Sequence, residues 1–296
     1  MSHIVPKRIL IAGLGAVALS SALLAQSHER VLYATALDAK TKTPLESLSP
    51  SDLRITEDGR GREILRVTPA TTPMSIAVVV DNQQAAQSTI TDLRRALSSF
   101  VTDVASLGPV AIVTTADRPT ILQDYTTDTS KLTQAANRLF AQPGSGATLL
   151  DAIVEVSRGI KRREEDRSAI VLVSTELTEF SNLHYSQVLD ALRDSGAMMS
   201  GVVLTNQRGS NQSDPARNRS VVLDRGITDT GGTRVDVLTS ISYSTALSQI
   251  AGALKHQYRV VYARPEQLIP PERIEASPVK DGVIISAAPA RGQKDR

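Results

Sequence analysis

Two short stretches hold most of the side chains that could do chemistry. In "IAVVVDNQQAAQ" (76–87) an apolar strand-like run meets Asp81 and turns polar at once, with Asn82 and Gln83 next in line. In "GSGATLL" (144–150) Ser145 and Thr148 stand just ahead of a helical pattern. A third group, Ser174, Thr175 and Glu176, ends the apolar run "AIVLVS". Carboxylates and hydroxyls at the ends of buried strands are the oxygen donors that hard cations such as Mg²⁺ or Ca²⁺ take. The same groups also serve structure: an Asp accepts nearby backbone N–H bonds, and a Thr before a helix caps it. A hydrolase would need Ser145 or Ser174 paired with His184, but neither a G-x-S-x-G elbow nor an H-E-x-x-H helix is present. The other histidines, His3, His28 and His256, are dispersed without ligand spacing, and the absence of Cys removes thiolate chemistry altogether.

The elements that must position these residues follow from periodicity. "MSIAVVV", "PVAIVTTA", "SAIVLVST" and "AMMSGVVLT" read as strands covered on both faces, and "TILQDYT" (120–126) as an antiparallel edge strand. Between them, apolar residues at Ile90, Leu93, Leu97, Phe100, Val101 and Val104 predict one helix, and Leu149, Ile153, Val156 and Ile160 another. Further helices are expected over 129–141, over "YSQVLDALRDSG" ending at Gly196, and over "SYSTALSQIAGALKHQ". "YRVVYARP" (258–265) is expected to be the last strand of this sheet, and 206–219 a polar surface loop. The alternation gives an α/β fold, a doubly wound and mostly parallel open sheet, whose ligands gather at the strands' carboxyl ends. It is flanked by a small β-rich N-terminal module and by short C-terminal strands, "RIEASPV" and "GVIISAA", around the turn "KDG".

Composition narrows the setting. The chain has 296 residues with 33 basic and 31 acidic side chains, and without Lys7 and Arg8 the two signs balance. There is no basic face and few aromatics, so nucleic acid is not an expected partner. Lys7 and Arg8 precede the apolar run Ile9 to Ala25, the pattern of an export signal cleaved after Ala25. The run is also near bilayer length, so a retained membrane anchor is the alternative. The expected division is 1–25 signal peptide, 29–70 β-rich module, 73–265 the α/β domain and 266–296 a C-terminal β-extension with a polar tail. The expected location is periplasm, cell envelope or outside the cell.

The order of "LSPSDLRITEDGRGREI", "MSIAVVVDNQ", "GATLLDAI", "AIVLVST", "DTGGTRVDV" and "LKHQYRVVYARP" resembles the von Willebrand factor A fold, a Rossmann-like α/β architecture. More narrowly it is similar to exported A-domain-related proteins of Acidobacteria-type bacteria. The resemblance implies a divalent-cation adhesion site made from a DxSxS loop, a Thr of a second loop and an Asp of a third, with one position left open for a partner's carboxylate. Asp81 matches the first Asp and Thr148 the Thr. Gln83 and Ala85 stand where the two Ser are expected, and Thr175 beside Glu176 where the third-loop Asp is expected. Ala85 has no side-chain oxygen, so the implied site is degenerate.

The expected function is therefore a non-enzymatic, exported protein-binding module without a cofactor, binding through a rim of Asp81, Asn82, Gln83, Ser145, Thr148, Thr175 and Glu176. Amide side chains in the rim loops are expected to do most of the holding. The alternative keeps Mg²⁺ or Ca²⁺ on Asp81 and Thr148. The partner is a protein, with a membrane involved only if the N-terminal segment is retained.

Overall fold

The computed structural model describes residues 27–175, 179–205, 213–265, 271 and 273–289. The expected export segment and Glu176 lie outside them. In chain order the strands are β1 (Ser27–Asp38), β2 (Leu53–Glu57), β3 (Arg60–Arg62), β4 (Ile64–Pro69), β5 (Ser75–Val80), β6 (Val110–Thr114), β7 (Thr120–Thr126), β8 (Ser168–Thr175), β9 (Met198–Leu204), β10 (Arg234–Val237), β11 (Gln257–Pro265), β12 (Ile274–Pro278) and β13 (Val283–Pro289). The helices are α1 (Ile90–Val104), α2 (Thr129–Arg138), α3 (Leu149–Arg163), α4 (Tyr185–Ser195), α5 (Asp214–Val221), the single turn α6 (Ile227–Asp229) and α7 (Tyr243–Lys255).

Six strands form the central sheet in the order β10-β9-β8-β5-β6-β7, parallel except for the edge strand β7. Every residue of β5 and β6 is buried, because helices cover both faces. Ile76, Val78 and Val80 of β5 pack with α1, α2 and α7. Ala77 and Val79 point the other way, into the layer of α3 and α4. The six apolar residues expected on the inner face of α1 are all buried there. Asp128 caps α2 by accepting from Ser130 N and Lys131 N, at 2.9 and 3.2 Å, and the helix stops at Arg138, shorter than expected.

β11 is not the last strand of this sheet. It pairs antiparallel with β1 and β4 in a separate four-stranded sheet, ordered β13-β1-β11-β4. β12 and β13 also part company: β13 joins β1, while β12 joins β2 in a three-stranded sheet with β3. The strands β1–β4 and β11–β13 thus build one β unit around Leu32, Ala34, Ile55, Tyr258, Val260 and Tyr262. That shared core answers the problem of a module too small to bury its own apolar surface. Within it the buried Glu57 carboxylate accepts from Arg62 Nε and Tyr262 Oη, both at 2.8 Å, with Arg264 Nε at 3.6 Å.

The turn "DTGGT" joins the two units. Gly231 has φ +72°, and a Cβ on it would come 2.3 Å from the Ala287 carbonyl oxygen of β13. On Gly232 a Cβ would come 1.8 Å from the Met199 carbonyl oxygen of β9. Gly231→Ala is therefore expected to cost about 2 kcal/mol, read as a lower urea midpoint, because the β13 backbone at Ala287 must move and the positive φ disfavours a side chain. An unchanged midpoint would mean that β13 is not seated against this turn.

The expected loop 206–219 ends in a helix. Ser213 accepts from Ala216 N at 3.4 Å and Pro215 falls in the first turn, so "SDPARNR" starts α5, which runs through a π turn (Val222–Gly226) into α6.

Candidate functional site

Counted within the central sheet, the strand order is 3-2-1-4-5-6, with β5 first and β8 fourth. The chain reverses direction across the sheet between those two strands, which is where open α/β sheets leave a crevice at the carboxyl edge. Asp81 follows β5 there, and its N–H donates to the Val173 carbonyl of β8 at 2.8 Å. Ser174 is the next residue along β8. The spot foreseen from sequence is thus the topological switch point.

Its polar groups are turned inward. Asp81, Asn82 and Gln83 are only 2–4% exposed. Gln83 donates its backbone N–H to Asp81 Oδ1 at 3.2 Å and its side-chain amide to Asp81 Oδ2 at 3.1 Å. Asn82 donates to the Phe140 carbonyl at 3.1 Å and accepts from Ala116 N at 3.0 Å. These amides tie the first loop to its neighbours and are turned away from solvent. Loop-to-loop bonds are cheap to make where both groups would otherwise be buried unpaired.

The second loop is fixed the same way. Gln142 N donates to the Asn82 carbonyl at 2.9 Å, Ser145 Oγ to the Gln142 carbonyl at 2.7 Å, and Gly144 N to Gln84 Oε1 at 2.7 Å. Thr148 stands at the N-cap position of α3, but its hydroxyl donates to the Thr115 carbonyl at 2.9 Å and caps no N–H. Ala85 is exposed, on the short 3-10 turn Gln84–Ser88. Thr175 ends β8, and Glu176 is outside the described residues.

The serine and histidine candidates are not brought together. His184 is exposed at the N-cap of α4, accepting from Ser186 N, and its ring nitrogen Nδ1 is 2.9 Å from Ser186 Oγ. Ser174 is buried and accepts from Arg219 Nη2 at 2.7 Å.

Two residues at the centre were missed in the sequence. Glu179, from the loop after β8, is buried and bridges backbone to backbone with Ala147. Its Oε1 accepts from Ser181 N at 3.1 Å, while Oε2 has no hydrogen-bond partner. Burial pushes this carboxyl's pKa up, and Asp81 adds to the rise; Ser181 and Arg219 oppose it. Arg219, from α5, is equally buried. Nothing but the Asp-Pro helix start after Ser213 marked its segment as ordered, and no local pattern linked it to Asp81. Among the described residues no three His, Asp or Glu side chains converge as a metal site would require.

Four large apolar residues are exposed on the loops at this end of the sheet. Phe140, Phe180, Leu238 and Ile241 are 56–78% exposed. Phe140 hangs on Asn82, and the Phe180 ring covers Gly146, where any Cβ would collide with it. Leu238 follows β10, and Ile241 sits beside Ser240, whose hydroxyl donates to Asp92 at the start of α1 at 2.6 Å. All four stand at the carboxyl end of the sheet. A separate groove of about 400 Å³ runs between β7 and α3, floored by Ala77, Ala111 and Val113.

No protein-family model matches the chain, and no curated protein matches it in sequence. Solved structures do match. Proximal thread matrix protein 1 from the mussel byssus superposes with a TM-score of 0.50 at 15% identity, over 68% of this chain and 51% of that one. The vWF domain of the type V pili tip protein Mfa5 from Porphyromonas gingivalis gives 0.46 at 10% identity, over 62% and 96%. BatB from Bacteroides thetaiotaomicron gives 0.43 at 12%, over 62% and 99%. The fold is von Willebrand factor A-like. Its mostly parallel central sheet with helices on both faces is the fold class expected from the sequence. At such identities the likeness concerns the A-like fold alone.

Proposed function

We propose that this chain is an exported, non-enzymatic protein-binding module that uses the carboxyl-end rim of its A-like sheet and needs no divalent cation there. The exposed apolar residues Phe140, Phe180, Leu238 and Ile241 carry the reading. Exposed aromatic anchors around a rigid, internally bonded centre are what a protein contact uses for affinity. The polar groups beneath hold the loops in place.

The donor set does not fit Mg²⁺ or Ca²⁺. Ala85 contributes no oxygen, and Gln83 turns its amide nitrogen, not its oxygen, toward Asp81. That orientation lets the amide donate to the carboxylate directly. Each Asp81 oxygen already accepts a bond from Gln83, Ser174 is engaged by Arg219, and among the described residues no three acidic or imidazole groups converge to supply the oxygens such an ion demands. The N-terminal pattern of Lys7, Arg8 and the run to Ala25 supports export. Among the described residues no helix is long and apolar enough to cross a membrane.

The test is retention of envelope proteins of a native host on the immobilised chain, in Mg²⁺ and in EDTA, beside Phe180→Ser. One retained protein, held equally in both buffers and about tenfold more weakly by Phe180→Ser, is the expected result. Loss of that protein in EDTA would return the cation, and insensitivity to Phe180 would move the contact off this rim.

A further inference from the structure

We propose that Arg219 supplies from within the chain a positive charge to the buried carboxylates at the carboxyl ends of β5 and β8, the switch point of the sheet. The inference rests on the cation-free reading above and deepens it.

The geometry begins with α5. Its Ser213 cap and first-turn Pro215 fix the start of the helix, and Ala216, Arg219, Val222 and Leu223 form its buried side, three to four residues apart. Arg219 is thereby delivered into the crevice by a rigid element. Its Nη2 reaches Ser174 Oγ at 2.7 Å. Ser174 neighbours Asp81 because Val80 pairs with Val173 and Asp81 N bonds the Val173 carbonyl. Glu179 comes in from the other side, held to Ala147, and interacts electrostatically with both Arg219 and Asp81. All four side chains are buried.

Two carboxylates and a hydroxyl facing one crevice resemble a stripped metal site, and buried carboxylates need a counter-charge. A guanidinium meets that need differently from a metal. It stays protonated at any pH the protein meets and presents donors in a fixed plane, so it pairs with oxygens without octahedral geometry. Ser174 directs one of its acceptor lone pairs to Arg219. One side chain thus supplies a positive charge to the two carboxylates and a donor to the hydroxyl.

A double-mutant cycle on the full chain tests this, using urea unfolding of the wild type, Arg219→Met, Glu179→Gln and the double variant, each in EDTA and in millimolar MnCl₂. Arg219→Met is expected to lower the folded-to-unfolded ratio more than tenfold, and adding Glu179→Gln to recover at least tenfold of that loss. Should Arg219→Met fail to fold, a folded double variant supports the pairing equally, because removing the charges together is tolerated where stranding one is not. Additive effects, or failure of both variants to fold, would overturn the role of Arg219. A wild-type midpoint raised by Mn²⁺ would instead overturn the cation-free reading itself.

Discussion

Replacing Arg167 by Met is expected to destabilise the protein by about 4 kcal/mol and to lower its urea midpoint accordingly, with little change of slope. Arg167 lies just before β8 and is almost wholly buried. Its guanidinium donates to the Leu254 carbonyl in the last turn of α7 and to the Thr72 carbonyl in the link between β4 and β5, both at 2.9 Å. A third bond, at 3.0 Å, goes to Gln257 Oε1 on β11. The group also lies over the Tyr33 ring of β1, 5.4 Å from its centroid. One side chain therefore joins the α/β layer to the β unit while satisfying a helix C-terminus. Met fills similar space but leaves three acceptors without this donor, each bond to a charged group being worth about 1.5–3 kcal/mol. Relief of the buried charge offsets part of that loss. Burial pushes the Arg167 pKa down to about 10, so it remains charged near neutrality and the effect is flat across that range. A loss below about 1 kcal/mol would mean that the two units hold together without it.

What could be read in advance follows physical locality. The strands β5, β6, β8 and β9 were legible because burial on both faces leaves a continuous apolar run, and α1 because its stripe repeats at the helical period. β11 has the same apolar character for a different reason: it is the interior strand between β1 and β4. Hydrophobicity records that a strand is covered but not by which sheet. For the same reason the turn "KDG" looked like a simple hairpin, although β12 and β13 leave it for separate sheets. At the site, Asp81 and Thr148 were visible because each ends or begins an element. Glu179 and Arg219 sit in polar stretches, and only the fold brings them to the same crevice.

Asp81→Ala is expected to cost about 3 kcal/mol, by the same amount in Mg²⁺ and in EDTA. It deletes both oxygens that Gln83 uses and takes one of two carboxylates away from a crevice that contains Arg219. A cost that appears only with Mg²⁺ present would restore Asp81 as a ligand. Asp81→Asn separates charge from shape and brings in Glu179. That carboxyl is raised first by burial and further by Asp81, so its folded pKa exceeds its unfolded one. Such a group favours folding most below its unfolded pKa, and the benefit is lost as pH climbs through the raised value. The wild type should therefore lose stability from mildly acidic toward neutral pH on account of Glu179. Asp81→Asn should make that decline shallower by removing the like charge, and Glu179→Gln should remove it. Urea midpoints from about pH 4 to 8 would read the slope. A slope unchanged in Asp81→Asn would mean that burial alone sets Glu179 and that the two carboxylates do not share one site.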